Sequence, residues 1–164
     1  MFFLSFVWFY QFHTVLLHCQ TTKDDKTKYK PFKLAATANN SAPIIMFTIL
    51  STLASIAALN PEGYTVDAQT LQPVTSGYVV AVKGTQNSFG DSGLRRVVEY
   101  QRAHKECTAF GGWLDSESGL YYYDACVIVP TLGEAMALAK ANEQIAFFCL
   151  DNFTEYNQDG TKRK

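Results

Sequence analysis

The chain has 164 residues, an apolar fraction of 48%, a charged fraction of 18% and a formal net charge of −1. That length holds one domain with room for an appendage, and the composition is that of a globular protein. The near-zero charge excludes a global pull toward nucleic acid or anionic lipid, so a nucleic-acid binder would need a local basic patch.

Residues 1–19, MFFLSFVWFYQFHTVLLHC, form a crowded aromatic stretch. No Lys or Arg precedes it and no small-residue cleavage site closes it, which argues against a secretory signal. As a membrane span it is marginal: about 20 apolar residues are needed, and Gln11 and His13 interrupt this run. Lys23, Lys26, Lys28, Lys30 and Lys33 follow and would hold the tail in the cytoplasm if the segment inserted. Residues 20–43 have linker composition, with too little apolar surface to build a core. This break predicts that Met46 is the initiator and that residues 1–45 are upstream sequence translated in error. The competing reading keeps residues 1–19 as a weak membrane anchor, and a membrane is a partner only in that case.

Within residues 44–63, Thr48, Ser51, Thr52 and Ser55 fall at i, i+3, i+4 and i+7. That stripe predicts an amphipathic helix over 46–60 rather than a membrane span, with Phe47, Leu50, Leu53, Ala54 and Ala57 on the remaining surface. Asn60-Pro61 stops it. Residues 61–76 read as an extended connector in which Tyr64 and Val66 pair briefly and Pro73 limits any strand. The β-branched run 77–83 predicts a central strand. The loop 84–93 leads into a helix over 92–105, capped by Asp91 or Ser92, with Leu94, Val97 and Val98 inward. Residues 109–114 and 120–129 form a hairpin around the turn Asp115–Gly119, and Pro130 ends it. Thr131 and Glu134 make a capping box for a helix whose apolar stripe is Leu132, Ala135, Met136 and Ala139. Residues 144–150 are the last strand, and 157–164 read as a disordered tail.

This order defines an α+β domain over 61–156: a two-layer, ferredoxin-like split βαβ arrangement (βαββαβ) with an extra N-terminal helix. Right-handed crossovers put both helices on one side of a four-stranded antiparallel sheet. The helix at 46–60 can cover an edge or the open sheet face.

Cys19, Cys107, Cys126 and Cys149 are too far apart in sequence for a metal knuckle or a redox pair and read as reduced core thiols of a cytoplasmic protein. His13, His18 and His104 lack metal-ligand spacing, so neither a metal nor a cofactor is expected. Two segments stand out as binding candidates. The loop Thr85, Gln86, Asn87, Ser88 and Phe89 lies between a strand and a helix N-terminus, where free N–H groups can hold an anion; it lacks the glycine spacing and lysine of a P-loop, and the plainer reading is a connecting loop. Trp113, Tyr121 and Tyr123 form a candidate aromatic sheet face. Such faces stack bases in RNA-recognition domains, but the associated strand signature is absent and Asp115, Glu117 and Asp124 make the hairpin acidic. The plainer reading packs these rings beneath the N-terminal helix. The same carboxylates are read as solvated rather than catalytic, and Ser88 and Ser92 lack a nucleophile-elbow motif.

The segments TQNSFG (85–90), GGWL (111–114) and YYYD (121–124) give the chain, over about residues 46–156, a pattern that resembles a group of short uncharacterised proteins of gut bacteria and their phages or mobile elements. The group has no established activity, so the resemblance implies no catalytic residue, only a small soluble accessory protein. The expectation is a non-enzymatic, cytoplasmic binding or regulatory module acting through protein–protein contacts. Its rivals are a single-stranded nucleic-acid-binding module using the aromatic face and a small membrane-anchored protein.

Overall fold

In the computed structural model, residues 41–115 and 117–163 are described. The expectations for residues 1–19 and for the linker up to residue 40 lie outside them. The domain is α+β. Helix α1 spans Ser41–Leu59, strand β1 Tyr64–Asp67, β2 Tyr78–Ala81, helix α2 Gly90–Ala103, β3 Ala109–Asp115, β4 Leu120–Val129, α3 Leu132–Ala141, β5 Ala146–Cys149 and β6 Thr154–Asn157. A short 3-10 turn at Lys83–Thr85 follows β2. The strands form one six-stranded sheet in the order β1-β3-β4-β2-β5-β6, antiparallel at every pairing.

All three helices pack on one face of the sheet. Alternation along β3 and β4 sends Phe110, Tyr123 and Ala125 to that face, where they meet Leu94, Val97 and Val98 of α2 and Leu53 and Ala57 of α1. Further along, Val80, Phe147, Cys149 and Tyr156 meet Ala135 and Ala139 of α3. The second strand of the sheet hairpin and α3 follow the pattern read from the sequence: β4 begins at Leu120 and ends at Val129, and Thr131 and Glu134 close a capping box.

α1 starts upstream of Met46 and lies beside α2, not over the opposite face of the sheet, which is helix-free among the described residues. Thr48, Ser51 and Ser55 are exposed as the polar stripe requires. Met46, Ile49, Leu50, Leu53, Ile56 and Ala57 line the packed side. Phe47 and Ala54 are corrections, since both are exposed, as is Ile44. Among the described residues no helix is long and apolar enough to cross a membrane.

Three further corrections have local causes. α2 begins at Gly90, with Phe89 at the N-cap and no side-chain cap bond, because residues 88–89 are held extended against β4. The sheet has six strands rather than four: the brief pairing expected at Tyr64 and Val66 is β1, at one edge, and β6, at the other edge, is four residues long, too short for alternation to mark it. Residues 157–163, read as a disordered tail, fold back on β6: Asn157 N–H donates to Thr161 O (2.8 Å), Arg163 N–H to Glu155 O (2.8 Å), and Arg163 pairs with the Glu155 carboxylate.

Candidate functional site: the helix-free sheet face

The 85–89 loop is built as a strut. Thr85 is buried, donates to Val82 O (3.3 Å) and accepts from Ala125 N (3.1 Å). Arg96 reaches back from α2 to bind Gly84 O (2.8 Å) and Gln86 O (3.3 Å). Asn87 is exposed and takes φ +58°, a left-handed conformation asparagine tolerates. Ser88 is buried; its carbonyl accepts from Tyr123 N (2.8 Å), and its hydroxyl has no partner among the described residues. Two glycines let the loop close: a Cβ at Gly84 would lie 2.2 Å from the Tyr100 ring, and one at Gly93 2.4 Å from the Ser88 backbone. Of the five predicted loop residues, only Phe89 (42% exposed) presents a large side chain to the surface.

The predicted aromatic trio is split between the two faces. β3 and β4 pair Trp113 with Tyr122, Gly112 with Tyr123 and Leu114 with Tyr121. Tyr121 and Tyr123 therefore lie on the helix-bearing side, Trp113 on the other. A one-residue change of register moves every side chain to the opposite face, and the turn causes one here. Asp115 belongs to β3 and pairs with Leu120; a turn that included Asp115 would have paired Trp113 with Tyr121.

On the helix side, Tyr121 donates to Asn60 O (2.8 Å) at the end of α1 and stacks on Tyr64 at 6.4 Å. Burial, then the neighbouring Tyr121 and Tyr123 phenols, push the Tyr64 hydroxyl well above its ordinary value. Gly112 makes room for this stack, since a Cβ there would lie 2.7 Å from the Tyr64 ring and 2.8 Å from the Tyr121 ring. These two tyrosines and Tyr123 serve the core.

On the helix-free face the aromatic cluster is instead Trp113, Tyr122 and Phe89. Trp113 stacks on Tyr122 at 5.1 Å and 16°, and Phe89 meets Tyr122 edge-on at 5.5 Å. The far end of this face is closed by the connector after β1, whose Val74 packs on Val79, Ala109, Cys126 and Leu150.

Three carboxylates share this face of the four strands from β1 to β2: Asp67, Asp115 and Asp124. No lysine or arginine does. Asp67 accepts from Gln69 N, Thr70 N and the Thr70 hydroxyl. Asp115 accepts from Glu117 N, Ser118 N and the Ser118 hydroxyl. These donors hold both carboxyls below their ordinary value. Asp124 differs. It is half-buried, and among the described residues its carboxylate has neither a hydrogen bond nor an ion pair. Loss of solvent pushes it up from 3.8 to about 7. Its cross-strand partner is Gly111. Gly111 is buried, and a Cβ on it would press on Cys126 Sγ at 3.2 Å and meet Tyr64 O at 3.7 Å, so its neighbours already fill the space between Trp113 and Asp124. Tyr122 and Asp124 were legible as residues of this face only through the register, and the carboxyl's burial only through the fold.

Cys107, Cys126 and Cys149 are buried free thiols. Burial raises the Cys107 thiol to about 11. Among the described residues no group of three or more His, Cys, Asp or Glu could hold a metal ion. Two shallow surface depressions lie elsewhere, one of about 520 Å³ between the end of α3 and the β6 turn, and one of about 380 Å³ beside Gly77 and Pro130. No protein-family model, curated protein or solved structure matches the chain.

Proposed function

We propose that this protein is a small non-enzymatic binding or accessory module that contacts a protein partner through its helix-free sheet face, centred on Trp113, Tyr122 and Phe89. The observation that carries this reading is the aromatic cluster on a face that no described helix covers. Large rings with little rotamer freedom are what partner surfaces use as anchors. A cytoplasmic setting accords with three buried free thiols among the described residues. The inner strands β3-β4-β2-β5, with α2 and α3 on one side, accord with a ferredoxin-like split βαβ core to which β1 and β6 are added.

Aromatic residues on the helix-free face of such a sheet also favour a second reading, base stacking on single-stranded nucleic acid. The acidic side chains around the rings weigh against it, because phosphate binding requires cations.

The test is affinity capture with the full chain, followed by reconstitution with the purified partner. Stoichiometric binding lost in Tyr122→Ala and Phe89→Ala, with circular dichroism unchanged, supports the protein-contact reading. Salt-dependent binding to an oligonucleotide library, lost in the same variants, replaces it with the second.

A further inference from the structure

We propose that the outer edge of β6 is a pairing site for β6 of a second copy of this chain, and that residues 160–163 form a strap that holds this edge shut. The inference concerns a different surface from the aromatic face and does not rest on it.

An edge strand presents backbone N–H and C=O groups that invite another strand. The two edges of this sheet are β1 and β6, and each is covered by the chain that follows it. Beyond β1, Asp67 N donates to Gln72 O (2.8 Å) and Val74 N to Thr65 O (3.0 Å), with Pro73 opposite Val66. That cover is fixed. Pro73 has no N–H to offer an incoming strand, and Val74 is packed into the cluster of Val79, Ala109, Cys126 and Leu150.

The cover beyond β6 is thinner. Asn157 N donates to Thr161 O (2.8 Å), Arg163 N to Glu155 O (2.8 Å) and Gly160 N to Asn157 O (2.9 Å), with Lys162 opposite Tyr156. Thr161, Lys162 and Arg163 are all exposed. The ion pair between Arg163 and Glu155 is solvated on both sides, and such pairs contribute little. Of the two covers, this is the one that can open.

The strap occupies the groups that a second copy would use. The backbone groups of Glu155 and Asn157 face outward from the sheet. A two-fold axis at Tyr156 sets Glu155 opposite Asn157 of the second copy. Asn157 N then donates to Glu155 O of the second copy, and the reverse, in place of the bonds now made to Thr161 O and Arg163 N. Charge selects this register. Glu155 is the one charged residue of β6, and here it faces an amide, whereas an axis at Glu155 would oppose two carboxylates. The contact uses the same patch on both copies and therefore closes at a dimer.

The test is analytical ultracentrifugation of the full chain over a concentration series, wild type against Gly160→Val/Arg163→Pro. Valine cannot hold the φ of +83° at Gly160, and proline removes the Arg163 N–H. Circular dichroism establishes that the opened chain is folded. Both copies must release their straps, so the opened chain should dimerise at least about tenfold more tightly than wild type. Within the opened chain, Asn157→Lys faces Glu155 of the second copy and should tighten the dimer by about threefold or more, and Asn157→Glu should loosen it by as much. A folded, opened chain that dimerises no more tightly than wild type overturns the proposal. Association that ignores the charge at position 157 overturns it as well. If the double variant does not fold, Arg163→Pro alone is judged by the same two criteria.

Discussion

Removing the charge of Asp124 should stabilise the protein by an amount that grows from about pH 4 to about pH 7 and then levels off. The folded chain holds this carboxyl's proton to about pH 7, against 3.8 when solvated. Between those values the folded state carries more protons than the unfolded state, so this group's contribution to stability is full below about pH 4 and is lost as pH rises through 7. At 1.36 kcal/mol per pH unit the gap sets a ceiling of about 4 kcal/mol, and the side chain's residual solvent contact brings the expectation to ~2 kcal/mol. Asparagine keeps the shape and cannot ionise. Asp124→Asn should therefore exceed wild type by ~2 kcal/mol at pH 8.5 and match it within ~0.5 kcal/mol near pH 4.5. Urea denaturation followed by tryptophan fluorescence reads this directly, since at a slope of about 2 kcal/mol per molar the midpoint moves by about 1 M. Asp67, Asp115 and Asp159, whose carboxyls are held low by turn donors, titrate alike in both proteins and cancel in the difference. A stability difference equal at the two pH values would refute the reasoning.

Three other outcomes follow from the packing. Leu53 has no exposed surface in the cluster joining α1 to α2, so Leu53→Ala should cost about 3 kcal/mol in chemical denaturation, whereas Ser51→Ala on the exposed side should change stability by less than ~0.5 kcal/mol. Gly93→Ala places a Cβ 2.4 Å from the Ser88 backbone and should cost at least ~2 kcal/mol; Gly133→Ala, with open space around it, should be neutral or stabilising by ~0.5 kcal/mol, and thermal melts separate the two. Thr131→Ala removes the hydroxyl that accepts from Glu134 N–H and should cost about 1 kcal/mol, read as a lowered melting temperature.

Elements with a strong local code were legible in the sequence. The β-branched run of β2, the capping box of α3 and the polar stripe of α1 each follow from side-chain chemistry within a few residues. Less legible were features decided by partners distant in the chain. β6 has one large apolar side chain, Tyr156, and becomes a strand because that ring stacks on Phe147 at 5.8 Å while its backbone pairs with β5. The start of α2 is set by Ser88 and Phe89 bridging to β4, not by Asp91 or Ser92. Phe47 is hydrophobic yet exposed because the packed side of α1 runs through Met46, Leu50, Leu53 and Ala57.

The candidate site turns on a single residue of the hairpin turn. Asp115 accepts from Glu117 N and Ser118 N, and Gly119, at φ +69°, donates to Asp115 O. These bonds let Asp115 finish β3 and leave four residues in the loop. That choice sets Trp113 opposite Tyr122 and sends Tyr121 and Tyr123 under α1 and α2. It also places Asp124 opposite Gly111, and each of the adjacent glycines accommodates a neighbour on its own face: Gly112 the Tyr64–Tyr121 stack in the core, and Gly111 the Cys126 thiol. One step of register thus decides whether this hairpin presents a tyrosine surface or an aromatic wall with an acid beside it.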